Sequence, residues 1–233
     1  MSSTDTSPTR PPVADRPSGH HPHRPRLRGW LHLGTTPLAM AAGIVLIVLS
    51  PTPAARAASG IYAATAVLLF AVSAAYHLGR WSPVPHSLLR RLDHANIYLI
   101  IAGTYTPFLV LALSGPLRQW MLGTVWTAAL IGVTFTVCWP SAPRWLSTIC
   151  YLALGWIAVV FARDLVLATP TVVWILVLVG GVLYSLGAVT YASRWPDPHP
   201  GWFGFHEVFH ALTVVAFVCQ YVAVSFLVYT TAT

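Results

Sequence analysis

The feature that most constrains this chain is a succession of seven apolar stretches, each long enough to cross a lipid bilayer. They cover approximately residues 32–50, 57–78, 93–113, 119–139, 146–167, 171–192 and 205–229. A bilayer-spanning helix needs about 20 predominantly apolar residues. The composition agrees, because 56% of the residues are hydrophobic and only 8% are charged, whereas soluble domains carry about 25% charged residues. The sequence therefore predicts an all-α membrane protein, a bundle of seven transmembrane helices.

The segments outside these stretches divide the chain into a tail and one domain. The connections between the apolar stretches are short and contain turn residues, as in "SPTP", "SGP" and "WPSAP". Residues 1–28 are rich in Pro, Ser, His and Arg and contain almost no large apolar side chain. Such a segment cannot bury enough surface to offset the entropy lost on ordering. We therefore expect a disordered cytoplasmic tail over residues 1–28 and a single transmembrane domain over residues 29–233.

The distribution of arginine predicts the orientation. All 13 basic residues are arginine, and only Arg56, Arg118 and Arg163 lie outside the cell if the N-terminus is cytoplasmic. The positive-inside rule therefore favours a cytoplasmic N-terminus and a C-terminus outside. The net charge of +7 then reflects topology, and we expect no nucleic-acid partner. The arginine-only, Ala- and Pro-rich composition is typical of a high-GC bacterium, so the expected location is the bacterial inner membrane.

Polar side chains within the apolar stretches form three clusters. Ser73 and His77 lie four residues apart at the end of the second predicted helix, so they share one face. Asp93 begins the third predicted helix, and His206 and His210 share a face at the start of the seventh. Ionisable side chains at membrane depth are costly, so each is interpreted as functional. The predicted topology places all three clusters at one depth, in the inner leaflet.

Three imidazoles are a typical shell for a catalytic zinc ion, with the fourth position left to water. We therefore predict a Zn²⁺ site made by His77, His206 and His210. Asp93 is predicted to hold or deprotonate the water, and Ser73 to hydrogen-bond the ligand shell or a developing oxyanion. The alternative for each residue is structural: packed histidines, a serine bonded to its own helix, and an aspartate favoured by the dipole at a helix start.

The run "HEVFH" (His206–His210) also matches the zinc-peptidase signature, in which Glu207 would be the general base. Intramembrane peptidases of that kind need a later aspartate as third ligand, and the sequence after His210 contains no Asp, Glu or His. We therefore disfavour a protease. Glu207 is interpreted as an interfacial residue near a helix start, where negative charge suits the helix dipole.

The same residues carry a resemblance to a known family. "SAAYH" (Ser73–His77), "LDHANIYLIIAGTYTPF" (Leu92–Phe108) and "HEVFH" resemble the S-x3-H, Asp and H-x3-H motifs of the progestin and adipoQ receptor family, most closely its bacterial hemolysin III branch. The likeness covers about residue 28 to the C-terminus. It implies a zinc site made by His77, His206 and His210, with Asp93 contacting the metal-bound water and Ser73 nearby. It also implies membership of a wider group of membrane hydrolases that includes alkaline ceramidases.

Two positions stand apart within this resemblance. Many relatives have a histidine after a cysteine late in the seventh helix, where this chain has Cys219-Gln220. Gln220 is too deep to reach the same metal, so the zinc site is expected to be unaffected. His32 matches a family histidine near the first helix to which no role is assigned.

Three functions remain open at this point. The leading hypothesis is a zinc-dependent hydrolase of a lipid amide or ester, with membrane lipids as substrate. The second is a ligand-responsive or membrane-homeostasis protein in which zinc is structural and no catalysis occurs. The third, a transporter or pore, is disfavoured because the outer halves of the predicted helices show no continuous track of polar residues. The sequence therefore leaves open whether the protein is an enzyme.

Overall fold

The computed structural model describes residues 25–230, so most of the predicted disordered tail lies outside the described residues. Within this range the regular structure is helical, apart from one isolated bridge between His199 and Phe203. The elements are α1 (Trp30–Val48), α2 (Pro53–Leu78), α3 (Pro83–Ala112), α4 (Gly115–Cys138), α5 (Arg144–Gly155), a 3₁₀ segment (Trp156–Phe161), α6 (Ala162–Ala168), α7 (Thr171–Ser193) and α8 (Phe205–Thr230). Seven spans of this described part are long and apolar enough to cross a membrane, with Arg144–Ala168 forming the fifth. The predicted seven-helix membrane fold is confirmed.

Local sequence explains where several helices begin. Proline stands in the first turn of α2, α3 and α4, where its fixed φ is already helical and its missing N–H is not needed. α3 begins at Pro83, ten residues earlier than the apolar stretch predicts. The prediction that Asp93 begins its helix is therefore wrong, because the polar segment 83–92 continues the same helix beyond the apolar stretch. Asp93 lies nearly three turns inside α3, away from the charge-favouring end of the dipole.

Three helices form the interior of the bundle. In α2, α3 and α8, between 44% and 61% of the most apolar 18-residue window is buried, against 17% to 22% in the other spans. Large rings fill the space between them, with Phe70 and Phe217 in an edge-to-face contact at 5.1 Å between centroids. Gly103 lets α3 approach α2, because a Cβ there would lie 2.9 Å from the Cβ of Thr65. The helices that carry the predicted site residues are thus the most deeply packed.

The fifth span is interrupted, although the sequence predicts one helix over residues 146–167. The hydroxyl of Tyr105, on α3, donates a hydrogen bond to the carbonyl of Gly155 and accepts one from the Ala158 N–H at 2.9 Å. A side chain inserted into the backbone ladder is a recognised cause of helix distortion. The interruption therefore has an identifiable source, which lies on another helix.

Residues 25–29, which we call the clasp, form a short turn at the start of the described chain. The Arg26 N–H donates to the Gly201 carbonyl and the Leu27 N–H to the Trp202 carbonyl, each at 3.1 Å. The Arg26 guanidinium also lies 4.5 Å from the centroid of the Trp202 ring, a favourable cation–π distance. The last residues of the predicted tail are therefore attached to the loop between α7 and α8.

Candidate metal centre

The three predicted histidine ligands lie together at one end of the bundle. His77 is in the last turn of α2, and His206 and His210 are in the first two turns of α8. One ring nitrogen from each lies within 4.8 Å of the others. His77 and His210 are buried, and His206 is partly buried. The prediction that these three side chains converge is confirmed, although they come from helices that are distant in sequence.

The spacing of these nitrogens suits a bound ion. The Nε2 atoms of His77 and His206 are 3.2 Å apart, and two nitrogens bound to a tetrahedral zinc ion at about 2.1 Å lie about 3.4 Å apart. The same distance also suits a hydrogen bond between two neutral rings, so this pair alone does not identify a metal site. The convergence of a third imidazole, His210, distinguishes the cluster from a paired contact. The donor set therefore fits a divalent metal ion that accepts nitrogen ligands.

Asp93 and Ser73 lie at the edge of this histidine group. Asp93 Oδ2 is 3.6 Å from His77 Nε2 and 3.9 Å from His94 Nδ1. Ser73 is buried beside the Asp93 carboxylate. Among the described residues the mutually close ligand atoms belong to the three histidines, without an Asp93 oxygen. The carboxylate is thus placed to reach a small molecule held at the histidines, and the catalytic roles of Asp93 and Ser73 stay predictions.

His32 is a neighbour of the site to which the sequence assigns no role. Its ring stacks on that of His210, with centroids 3.8 Å apart and planes 13° apart, and meets Phe70 edge-to-face. His32 is buried, and neither of its ring nitrogens has a hydrogen-bond partner within residues 25–230. The stack restricts the plane of the His210 ring. This contact depends on the packing of α1 beside α8, which no local sequence pattern predicts.

Glu207 is engaged with protein groups on both of its carboxylate oxygens. Oε2 accepts the Gly204 N–H at 2.9 Å, as the glutamate of a capping box does at a helix start. Oε1 accepts a bond from Arg28 Nε at 2.7 Å, and the Glu207 side chain is only 1% exposed. The prediction placed Glu207 correctly at the start of the helix. It missed the burial, which depends on a partner 179 residues away.

This ion pair has a large energetic consequence for the site. A buried carboxylate that loses its only charged partner typically costs about 3–5 kcal/mol. Glu207 directly follows His206, so loss of this ion pair acts on the first turn of α8, next to a predicted ligand. Arg28 is a residue near the site that the sequence did not single out.

An apolar cavity of about 340 Å³ extends from the histidine group into the bundle. His206, His210 and Asp93 line one end, and Trp174 lines the other. Tyr191 and Trp174 both line it and are 17 residues apart on α7, so the cavity is about 25 Å long at 1.5 Å per helical residue. Its volume is within the range of ligand pockets, about 300–1,000 Å³. The shape fits a narrow apolar chain that ends in a polar group at the histidines.

Gln220 lines the same cavity about 15 Å deeper along α8 than His210. Its Nε2 donates to the Val177 carbonyl at 3.1 Å, which ties α8 to α7. Gly180 permits this contact, because a Cβ there would lie 2.6 Å from the same Nε2. Gln220 is therefore separate from the metal centre, as the sequence predicts.

Several known proteins are similar to this chain in sequence. A family model described as "Haemolysin-III related" matches residues 20–221. Hemolysin-3 of Bacillus cereus is 36% identical over 169 residues, which cover 71% of this chain and 77% of the relative. A Hemolysin-3 homolog of Bacillus subtilis (strain 168) is 37% identical over 119 residues, which cover 51% and 56%. The human monocyte to macrophage differentiation factor is 27% identical over 173 residues, which cover 70% and 67%.

Proposed function

Because the chain belongs to the haemolysin-III related family, the branch of the progestin and adipoQ receptor family that its motifs resemble, we propose that it is a zinc-dependent hydrolase of a lipid amide or ester. The observation that carries this proposal is the continuity of the histidine group with the apolar cavity. His206, His210 and Asp93 line the polar end of that cavity. A lipid whose carbonyl lies at the histidines would extend its acyl chain along the apolar walls.

The residues of the site divide the chemistry between them. His77, His206 and His210 would hold the ion, and an all-imidazole shell suits zinc. When bound, zinc supplies a Lewis acid that polarises the substrate carbonyl and makes water more acidic. The Asp93 carboxylate, beside His77, accepts the proton of the attacking water. The Ser73 hydroxyl orients this carboxylate or donates a hydrogen bond to the developing oxyanion.

We also propose that the metal centre faces the cytoplasmic side of a bacterial inner membrane. The arginine distribution supports this orientation, since the segments next to this end of the bundle carry most of the arginines. Arg28, Arg80, Arg90 and Arg91 all belong to these segments. The substrate would then enter from the inner leaflet, where lipids are present at high local concentration.

Zinc content tests the metal centre. We expect one zinc per chain in the purified wild type and none in His77→Ala, His206→Ala or His210→Ala, because each variant removes one of three ligands. His86→Ala is the matched control, since His86 is exposed and should retain zinc. Wild-type protein purified without chelator and found free of zinc would overturn the metal centre.

Asp93→Asn tests the catalytic step. The variant should retain zinc and lose hydrolysis of ceramide or fluorescent acyl-ester substrates by about 100-fold or more, as expected on removal of a general base. The readout is fatty acid released in detergent micelles at saturating zinc. Full activity in Asp93→Asn would refute Asp93 as the base. Loss of zinc together with activity would instead indicate a closed, four-ligand structural site.

A further inference from the structure

The clasp touches both helices that supply the histidines. On the α8 side, Arg28 donates from Nε to Glu207 Oε1 at 2.7 Å. On the α2 side, Gly29 packs against the stem of His77. The clasp therefore bridges the two parts of the site from outside the ligand shell.

The contact with α8 acts at the residue next to a ligand. Glu207 follows His206 directly and precedes His210 by three residues. Its other carboxylate oxygen holds the Gly204 N–H, so Arg28 and the start of α8 are joined through one carboxylate. The bond is charge-assisted and almost completely shielded from solvent on the glutamate side, which makes it a strong positional restraint.

The contact with α2 depends on the absence of a side chain. Gly29 has φ +86°, and a Cβ at this position would lie 2.8 Å from His77 Cβ and 3.1 Å from Leu78 Cγ. Glycine tolerates both the positive φ and the close approach. The clasp backbone thus lies directly against the His77 stem and restricts its movement.

The clasp is itself held in place by contacts away from the site. Its two backbone hydrogen bonds go to Gly201 and Trp202, and the Arg26 guanidinium covers the Trp202 ring. This loop runs directly into α8, whose first N–H, from Phe205, is bonded to Asp197 Oδ1 at 2.8 Å. Arg28 and Gly29 are therefore presented on a fixed backbone.

We propose that Arg28 and Gly29 are positioning residues of the metal centre. The clasp holds His206, through Glu207, and His77, by direct packing, at the separation at which both can bind one ion. Neither clasp residue belongs to the ligand set, so the clasp sets metal affinity without contributing a donor atom. This inference rests on the proposed zinc site and adds a determinant of its affinity.

Zinc competition against a chromophoric chelator, with the full-length protein in detergent, tests the Arg28 contact. We expect Arg28→Met to weaken zinc binding by about 10- to 100-fold, the range typical for loss of groups that orient metal ligands. The double variant Arg28→Met/Glu207→Met removes both charges, so no unpaired carboxylate remains to destabilise the fold. Its thermal stability should recover while its zinc affinity stays low.

Arg80→Met is the matched control, because Arg80 is an exposed arginine three residues after His77; it should bind zinc as the wild type does. Gly29→Ala tests the other contact and should also weaken binding. With Co²⁺ in place of zinc, the clasp variants should show a shifted d–d absorption band, which a loss of stability alone would not produce.

The outcomes separate this inference from the proposed function. Wild-type protein that binds no zinc would overturn the metal centre and the clasp's role together. One zinc in the wild type, with unchanged affinity and an unchanged Co²⁺ band in Arg28→Met and Gly29→Ala, would overturn the clasp's role alone. A zinc affinity equal to that of the wild type in the double variant would show that the ion pair acts only through stability. That result would also overturn the clasp's role.

Discussion

The interior helices and the wall of the cavity are built in different ways. The interior, α2, α3 and α8, carries all of the predicted ligands and catalytic residues and is the most deeply packed part of the bundle. The wall formed by α5, the 3₁₀ segment, α6 and α7 is much less buried and lines much of the apolar cavity. Precise placement of reacting groups requires rigid supporting elements, whereas an apolar chain requires only space. The difference between the two regions matches these two needs.

Individual contacts show the same contrast. In the interior, Gly103 brings the backbone of α3 against Thr65 of α2. In the wall, a Cβ on Gly181 would meet nothing within 4 Å. One polar bridge crosses the wall, from Trp156 Nε1 to Ser185 Oγ at 3.0 Å. We therefore expect equal substitutions to have unequal effects in the two regions.

The largest effect is expected for the same glycine substitution in the two regions. Gly103→Ala should lower the free energy of unfolding by about 1–3 kcal/mol, because the new Cβ overlaps Thr65 and forces the helices apart. Gly181→Ala should change it by less than about 1 kcal/mol, because its Cβ enters open space. Thermal unfolding in detergent measures both. Equal destabilisation by the two variants would remove the distinction between interior and wall.

A smaller effect is expected at the boundary between the regions. Tyr105→Phe leaves the Gly155 carbonyl and the Ala158 N–H without the hydroxyl that they share. We expect the free energy of unfolding to fall by about 1–2 kcal/mol and hydrogen exchange across the 3₁₀ segment to become faster. Tyr184→Phe is the control, since the Tyr184 hydroxyl has no hydrogen-bond partner in the described chain. Equal hydrogen-exchange rates across the 3₁₀ segment in the two variants would show that the Tyr105 hydroxyl does not maintain the interruption of the fifth span.

The smallest effect is expected within the wall. Ser185→Ala removes the hydrogen bond to Trp156. We expect the free energy of unfolding to fall by about 0.5–1 kcal/mol, the net value of one ordinary hydrogen bond. Ser193→Ala, at the end of the same helix, provides the control because its hydroxyl bonds only nearby carbonyls. If Ser185→Ala lowered the free energy of unfolding as much as Tyr105→Phe does, the wall would be as tightly packed as the interior.

The sequence predicts the spans and the convergence of the histidines for physical reasons. Apolar length is a local property that a bilayer requires, so seven spans follow directly from composition along the chain. The i, i+4 spacing puts His206 and His210 on one face, and alternating topology brings His77 to the same side. The start of α3 was misjudged because helix formation extends beyond the apolar stretch, through segment 83–92.

The contacts that complete the site depend on long-range pairing that no local pattern encodes. Arg28 and Glu207 are 179 residues apart in the chain, and Tyr105 reaches Ala158 across 53 residues. His32 stacks on His210 only because α1 packs beside α8. Each of these contacts requires knowledge of which helices are neighbours, and the apolar stretches carry little information about that.

The distance along the chain between His77 and His206 has a consequence for the order of biosynthesis. These ligands are 129 residues apart, so at about 5–20 residues per second a ribosome needs roughly 6–26 s to produce the second after the first. During this interval the earlier spans are already in the membrane, with a single histidine of the trio available. A nascent chain that stops before α8 lacks two of the three histidines and also Glu207, the partner of Arg28. The proposed metal site can therefore form only in the last stage of maturation, once the final helix has joined the bundle.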